Sequence, residues 1–125
     1  MSTPQTYDQK MAATAFSAVK ARPPSDEYRS FAKSFPGLIH TCGLMQAAAF
    51  ALADDKKKSV LEDTVKVLAA LTGEPLGTDK YVEKWRGADA LEYIRASRFA
   101  LRAASWIKRQ ADALIPAPQD QREEV

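Results

Sequence analysis

The sequence predicts an all-α protein: a single compact bundle of about six helices with a long C-terminal helix. Alanine, the residue with the highest helix propensity, occurs 22 times in the 125 residues, whereas valine and isoleucine together occur ten times. Apolar residues recur at the three- and four-residue spacing of helices, and no stretch alternates with the two-residue period of a strand. Proline and glycine residues divide the chain into about six such segments.

The first predicted helix covers Gln5–Ala21 and ends before Pro23–Pro24, because proline cannot continue the helical hydrogen-bond ladder. Ser25 then has the character of an N-cap, and the two acidic residues after it favour the first turn of a second, short helix. We expect Pro36 to interrupt this second helix.

The third segment, Gly37–Ala53, is rich in small residues that allow a neighbouring helix to approach closely, and we expect it to be the innermost helix. Cys42 belongs to its apolar stripe and is therefore predicted to be buried as a small hydrophobic residue. The stripe follows helical spacing and consists of Leu38, Cys42, Met45, Ala49 and Leu52.

Two shorter signals place the next helices. Asp54–Lys58 is predicted to be a solvated connection, and Ser59 with Glu62 three residues later forms a capping-box pattern that opens a fourth helix. A turn that includes Gly73 ends this helix. Thr78 is then expected to cap a brief fifth helix that ends near Gly87.

The last segment, Ala88–Ile115, contains no Gly or Pro and is closed by Pro116, so we expect one continuous helix of roughly 40 Å. It has two distinct faces on a helical wheel. The broad apolar face contains Ala90, Tyr93, Ile94, Ala100, Leu101, Ala104, Ile107, Ala111, Leu114 and Ile115. The opposite face carries Arg95, Phe99, Arg102, Trp106 and Arg109, with Arg98 beside them.

The length of the chain predicts one helical domain, residues 1–115, followed by a flexible C-terminal tail, residues 116–125. The N-terminus is polar, and no run of about 18 apolar residues is present, so neither a signal peptide nor a membrane span is expected. The single cysteine fits a reducing compartment, and we expect a cytoplasmic protein.

Few residues offer catalytic chemistry. His40 is the only histidine, and Cys42 lies two residues away, a spacing at which helical side chains do not face each other. His40 is therefore interpreted as a helix-surface residue or a structural hydrogen-bonding group. Zinc-ligand spacing and a phosphate-binding glycine loop are both missing from the sequence. We expect no enzymatic activity, no cofactor, no metal site and no small-molecule substrate.

Positive charge is concentrated in one region although the net charge is only +2. Eight basic residues and three acidic residues lie between Lys80 and Arg109. Arginines that alternate with aromatic rings favour either contact with nucleic acid phosphates and bases, or structural packing and protein–protein contact. Spacing leaves both interpretations open. Arg29 and Lys33, one turn apart, form a second basic pair.

Three stretches resemble the small helical subunit, the fifth, of the type III-B CRISPR RNA-guided effector, the Cmr complex. They are Glu27–Arg29 followed by Pro36, then Gly43–Phe50, and finally Leu91–Arg95 together with Trp106–Ala111. Their order and separation fit that family over most of residues 7–115.

The resemblance implies a subunit without catalysis that serves in antiviral defence. Its copies would stack along the inner filament beside the guide and target RNA, in contact with the other effector subunits. The resemblance also implies packing roles for Trp106 and for the Gly43–Phe50 helix. The implied RNA-binding residues are Arg95, Arg98, Arg102, Lys108 and Arg109, with Arg29 and Lys33 as additions.

Two alternatives remain open at this stage. One is the small subunit of the sister type III-A effector, the Csm complex, which is also a short helical protein. The other is a stand-alone helical adaptor whose arginine–aromatic face binds an acidic protein partner.

Overall fold

The computed structural model describes residues 5–75 and 77–117, and within them the chain forms helices and no strand. The predicted all-α bundle of six helices with a long last helix is confirmed. The helices are α1 (Tyr7–Lys20), α2 (Asp26–Cys42), α3 (Leu44–Leu52), α4 (Asp55–Thr72), α5 (Thr78–Gly87) and α6 (Ala90–Leu114).

The centre of the bundle is α4, which contacts each of the other five helices. Seven of its residues are buried, including the polar Asp63 and Thr64. The prediction that the third segment is the innermost helix is wrong. Although α3 buries Leu44 and three alanines, it packs mainly on α2, α4 and α5. Small side chains let helices approach closely, but they do not decide which helix lies in the middle.

The largest error in the predicted helices concerns Pro36, which does not interrupt α2. Pro36 is buried inside the helix, where it removes one backbone hydrogen bond without ending the ladder. The chain breaks instead at Gly43, whose backbone has φ +90° and ψ 158°. Only glycine adopts this conformation without strain, so Gly43 sets the junction between α2 and α3.

Because the break lies at Gly43, the apolar stripe predicted across Gly37–Ala53 does not exist as one surface. Cys42, which precedes the break at the end of α2, is exposed, so its predicted burial is wrong. Ala49 is exposed as well, whereas the neighbouring Ala48 is completely buried. A helical wheel drawn through a junction assigns residues after it to the wrong side.

The fourth helix begins at Asp55, earlier than its capping-box pattern suggested. The Asp54 side chain accepts hydrogen bonds from the backbone N–H groups of Lys56 and Lys57, at 2.9 and 3.3 Å. The predicted solvated connection is therefore mostly the first turn of α4. Ser59 lies inside the helix and donates to the Asp55 carbonyl instead of capping a terminus.

At α5, Gly77 and not Thr78 is the N-cap.

The long helix α6 has nearly its predicted length, 25 residues, and begins at an Asp89 side chain that accepts from the Glu92 N–H. Its C-terminal part supplies the buried face that the sequence predicts. The first turns differ, because Ala90 and Ile94 are exposed although they belong to the predicted apolar face. The buried positions are Ala100, Ala103, Ala104, Ile107 and Ala111.

An ionic cluster around the buried Asp63 joins the turn after α1 to α2 and α4. Asp63 is completely buried and accepts two hydrogen bonds from Arg22, at 2.6 and 3.0 Å, and one from the Tyr28 hydroxyl at 2.5 Å. These hydrogen bonds raise the pKa of Arg22. Burial and the Asp63 charge raise the pKa of Tyr28, so its hydroxyl stays a proton donor. The cluster fixes the turn that follows α1.

Two further sequence predictions concern the C-terminal tail and membrane spans. The predicted tail, 116–125, lies outside the described residues except for residues 116 and 117, and the domain boundary at residue 115 stays a prediction. None of the described helices is long and apolar enough to cross a membrane.

Candidate nucleic-acid interface

Four of the predicted RNA-binding arginines lie along one side of α6, and all four are exposed. We call this set, Arg95, Arg98, Arg102 and Arg109, the arginine face. At 1.5 Å of rise per residue, it extends about 21 Å along the helix axis. Arg95 and Arg98 make no salt bridge within residues 5–75 and 77–117, so their guanidinium groups are available to an external anion. The structure thus brings four predicted residues together on an accessible surface.

Arg102, in the middle of this face, contacts the first helix. Its Nη2 atom lies 2.9 Å from an Asp8 carboxylate oxygen, and both side chains are exposed. Sequence reasoning missed this ion pair because the two residues are 94 positions apart. The contact is open to solvent and does not seal the arginine inside the bundle.

Trp106 and Arg109 form a stacked pair at the C-terminal end of the arginine face. The Arg109 guanidinium carbon lies 5.3 Å from the centre of the Trp106 ring, within cation–π distance. The Trp106 ring itself is half-buried and packs against the hydrophobic core. The packing role expected for Trp106 is consistent with this position.

Lys108 and Arg29 do not belong to the arginine face. Consecutive helical residues point about 100° apart, so the Lys108 side chain points to one side of the arginine face. Arg29, on α2, donates from Nε to the Ile115 carbonyl at 3.2 Å and pairs with Asp112 at 3.4 Å. Only 16% of its side chain is exposed. Arg29 therefore ties the end of α6 to α2, a structural role that the sequence did not indicate.

Lys33 borders a groove of about 1170 Å³ that is separate from the arginine face, because no α6 residue lines it. Lys56 and Lys57 reach the same groove, and the Lys57 ammonium lies 4.4 Å from the centre of the exposed Phe50 ring. Carboxylates also line it, so its charge is mixed. The acidic groups are Asp26, Glu27 and Asp54.

Tyr93 positions the exposed start of α6 against the α2–α3 junction. Its hydroxyl accepts a hydrogen bond of 3.0 Å from the Met45 backbone N–H, one of the free donors in the first turn of α3. Gly43, which precedes this turn, has no side chain with which to cap it. The hydroxyl of Tyr93 thus replaces the missing cap, a function that its place on the predicted apolar face did not reveal.

His40 and the possible metal ligands are the remaining candidates for chemistry in the described part of the chain. His40 is exposed on α2, in agreement with its interpretation as a helix-surface residue. No group of three or more His, Cys, Asp or Glu side chains is arranged to hold a metal ion among residues 5–75 and 77–117.

The fold and this surface together define a class: small all-helical proteins that carry a row of guanidinium groups along their longest helix. Residues 7–114 match the family described as CRISPR-associated protein (Cas_Cmr5). The match covers most of the 125 residues, and the chain belongs to this Cmr5 family. The resemblance noted from the sequence is confirmed at the level of the family.

Two relatives are similar over nearly their whole length. The CRISPR system Cmr subunit Cmr5 of Thermus thermophilus is 34% identical over 116 residues, which cover 89% of this chain and 97% of that protein. The crystal structure of a CRISPR-associated Cmr5 family protein from Thermus thermophilus has a TM-score of 0.79 and 32% identity. It covers 90% of this chain and 100% of its own.

Proposed function

We propose that this chain is a non-catalytic small subunit of a type III-B Cmr effector and that its arginine face contacts the guide–target RNA. The observation that carries the proposal is the row of four exposed arginines on α6 in a chain of the Cmr5 family. The Thermus relative is named as a subunit of the Cmr system, which supports the same assignment for this chain. The family match favours the Cmr system over the sister Csm complex.

The proposed RNA contact is to the backbone and not to the base edges. Guanidinium groups bind phosphate oxygens through paired N–H donors, and an exposed helix face is too shallow to enclose a base-paired helix. Double-stranded RNA is read mainly by shape and by its phosphates and 2′-hydroxyls. In an RNA-guided effector, base pairing with the guide supplies the sequence specificity. Arg29, Lys33 and Lys108 are secondary candidates because they lie off the arginine face.

Protein contacts of the same subunit are proposed at the first turns of α6. Leu91 and Ile94 are 58% and 48% exposed, beside the cationic Arg95. Exposed apolar side chains bordered by charge are typical of protein-binding surfaces. We propose that this end of α6 meets neighbouring effector subunits, including stacked copies of the chain itself, in a cytoplasmic complex that serves antiviral defence.

Charge reversal tests the RNA contact directly. In an assembled effector that carries Arg98→Glu and Arg102→Glu, we expect affinity for a partly guide-complementary target RNA to fall by about tenfold or more. The negative slope of log affinity against log salt should also become shallower, by about one for each lost phosphate contact. Partial complementarity keeps guide pairing from masking the change.

The matched control for this variant is Lys80→Glu with Lys84→Glu on α5. These two lysines are exposed, have the same four-residue spacing and give the same change in net charge. Thermal unfolding of both isolated variants checks that the fold is retained. If the α6 variant binds RNA as tightly as the α5 variant, the arginine face is not the RNA surface.

The isolated chain is expected to bind RNA weakly and without sequence preference. Four exposed arginines supply few phosphate contacts, and the affinity should fall steeply with salt because bound counterions are released on binding. Fluorescence anisotropy with labelled RNA duplexes of unrelated sequence, measured at several salt concentrations, tests this expectation. Tight binding that selects one sequence would contradict a scaffold role. Preferential binding of an acidic protein surface would instead favour the adaptor.

A further inference from the structure

We propose that Asp8 is an internal competitor for the phosphate-binding position at Arg102. This inference rests on the proposed RNA contact and adds a determinant of its strength. The Asp8 carboxylate lies 2.9 Å from the Arg102 guanidinium, in the place that a phosphate oxygen would occupy. An RNA phosphate and the Asp8 carboxylate bind the same Arg102 guanidinium group, so RNA binding to Arg102 displaces Asp8.

The position of Asp8 is set by the fold and not by a flexible segment. It lies in the first turn of α1, where Thr6 and Gln9 form a reciprocal capping box. One turn further along, Met11 is 1% exposed and anchors the helix in the core. The backbone of Asp8 is therefore held beside α6, and its short side chain keeps the carboxylate near the arginine face.

The surroundings of Arg102 leave room for an incoming anion. A cavity of about 340 Å³ lies between α1 and α6. Its wall carries Arg109 beside Arg102, Ser105 and a single carboxylate residue, Asp8. A phosphate in this cavity would meet two guanidinium groups and one repelling charge. Its other lining residues are Leu101 and Trp106.

The exposure of the Asp8–Arg102 pair makes exchange feasible. The side chains are 64% and 49% exposed, and ion pairs of such exposure are weak enough for an external phosphate to replace. An ion pair with a completely buried carboxylate, such as the one that Asp63 forms with Arg22, would not open in this way. Asp8 thus lowers RNA affinity without blocking it.

Asp8→Asn in the assembled effector is expected to raise the affinity for a partly guide-complementary RNA by about twofold to fivefold, the range that an exposed ion pair allows. Asp79→Asn is the matched control. Asp79 also lies in the first turn of a helix, α5, and its replacement changes the net charge equally. The control should leave RNA affinity unchanged. The melting temperature of the isolated Asp8→Asn chain should stay within a few degrees of the unaltered chain.

Arg102→Ala separates this inference from the proposed function. It should weaken RNA binding by itself, and Asp8→Asn should give no gain in its background. If Arg102→Ala weakens binding but Asp8→Asn does not strengthen it, competition is wrong and the RNA contact stands. A gain from Asp8→Asn that persists without Arg102 also overturns the competition. If Arg102→Ala has no effect, both the contact at this residue and the competition fail.

Discussion

Replacing Asp63 with alanine is expected to lower the free energy of unfolding by about 2–4 kcal/mol, because it leaves charged and polar partners without their acceptor in the interior. Asp63 is completely buried and accepts hydrogen bonds from Arg22 and Tyr28. Its loss strands the buried Tyr28 hydroxyl. The Arg22 side chain is 26% exposed and can turn toward solvent, which keeps the cost below that of a fully enclosed charge.

Urea denaturation of the isolated chain measures this effect, with a fall of about 10 °C expected in a thermal scan. Asp79→Ala serves as the control, since Asp79 is exposed and surface substitutions usually change stability by less than about 0.5 kcal/mol. Asp63→Asn retains one acceptor, so its free energy of unfolding should lie between those of Asp63→Ala and Asp79→Ala. Should Asp63→Ala unfold at the same urea concentration as the control, the cluster does not stabilise the junction of α1, α2 and α4.

Gly43→Ala is expected to destabilise the chain by about 1–3 kcal/mol through backbone strain. The φ of +90° with ψ of 158° is a region that residues with a Cβ atom rarely enter. Crowding is not the cause, because the nearest atom to an added Cβ is the Tyr93 hydroxyl oxygen, at 3.8 Å. The substitution would also disturb the turn at which Tyr93 caps α3.

Gly37→Ala should have the opposite sign and is the matched comparison. Gly37 lies inside α2, is exposed, and has no heavy atom within 4 Å of the position of an added Cβ. Alanine there should stabilise the chain by about 0.5–1 kcal/mol through helix propensity. Urea midpoints of the two variants must therefore lie on opposite sides of the unaltered chain. Equal shifts would mean that the helix does not break at Gly43.

The candidate site was only partly predictable. Helical spacing alone places the four residues of the arginine face together, because a helix without Gly or Pro keeps its own geometry. The family resemblance also implied a possible RNA role for Arg29. The structure holds that side chain against Asp112 and Ile115, more than 80 positions away in the sequence. Spacing along one segment carries no information about partners on another.

The helical class, the long last helix and its cationic side followed from composition, periodicity and proline placement, all of which act within a few residues. The break at Gly43, the exposure of Cys42, the central position of α4 and the ionic cluster at Asp63 were decided by how the helices pack. The physical reason is one of range. A proline removes a single hydrogen bond, and burial within the bundle outweighs that loss at Pro36. Burial and ion pairing depend on neighbours that the chain acquires only after it has folded.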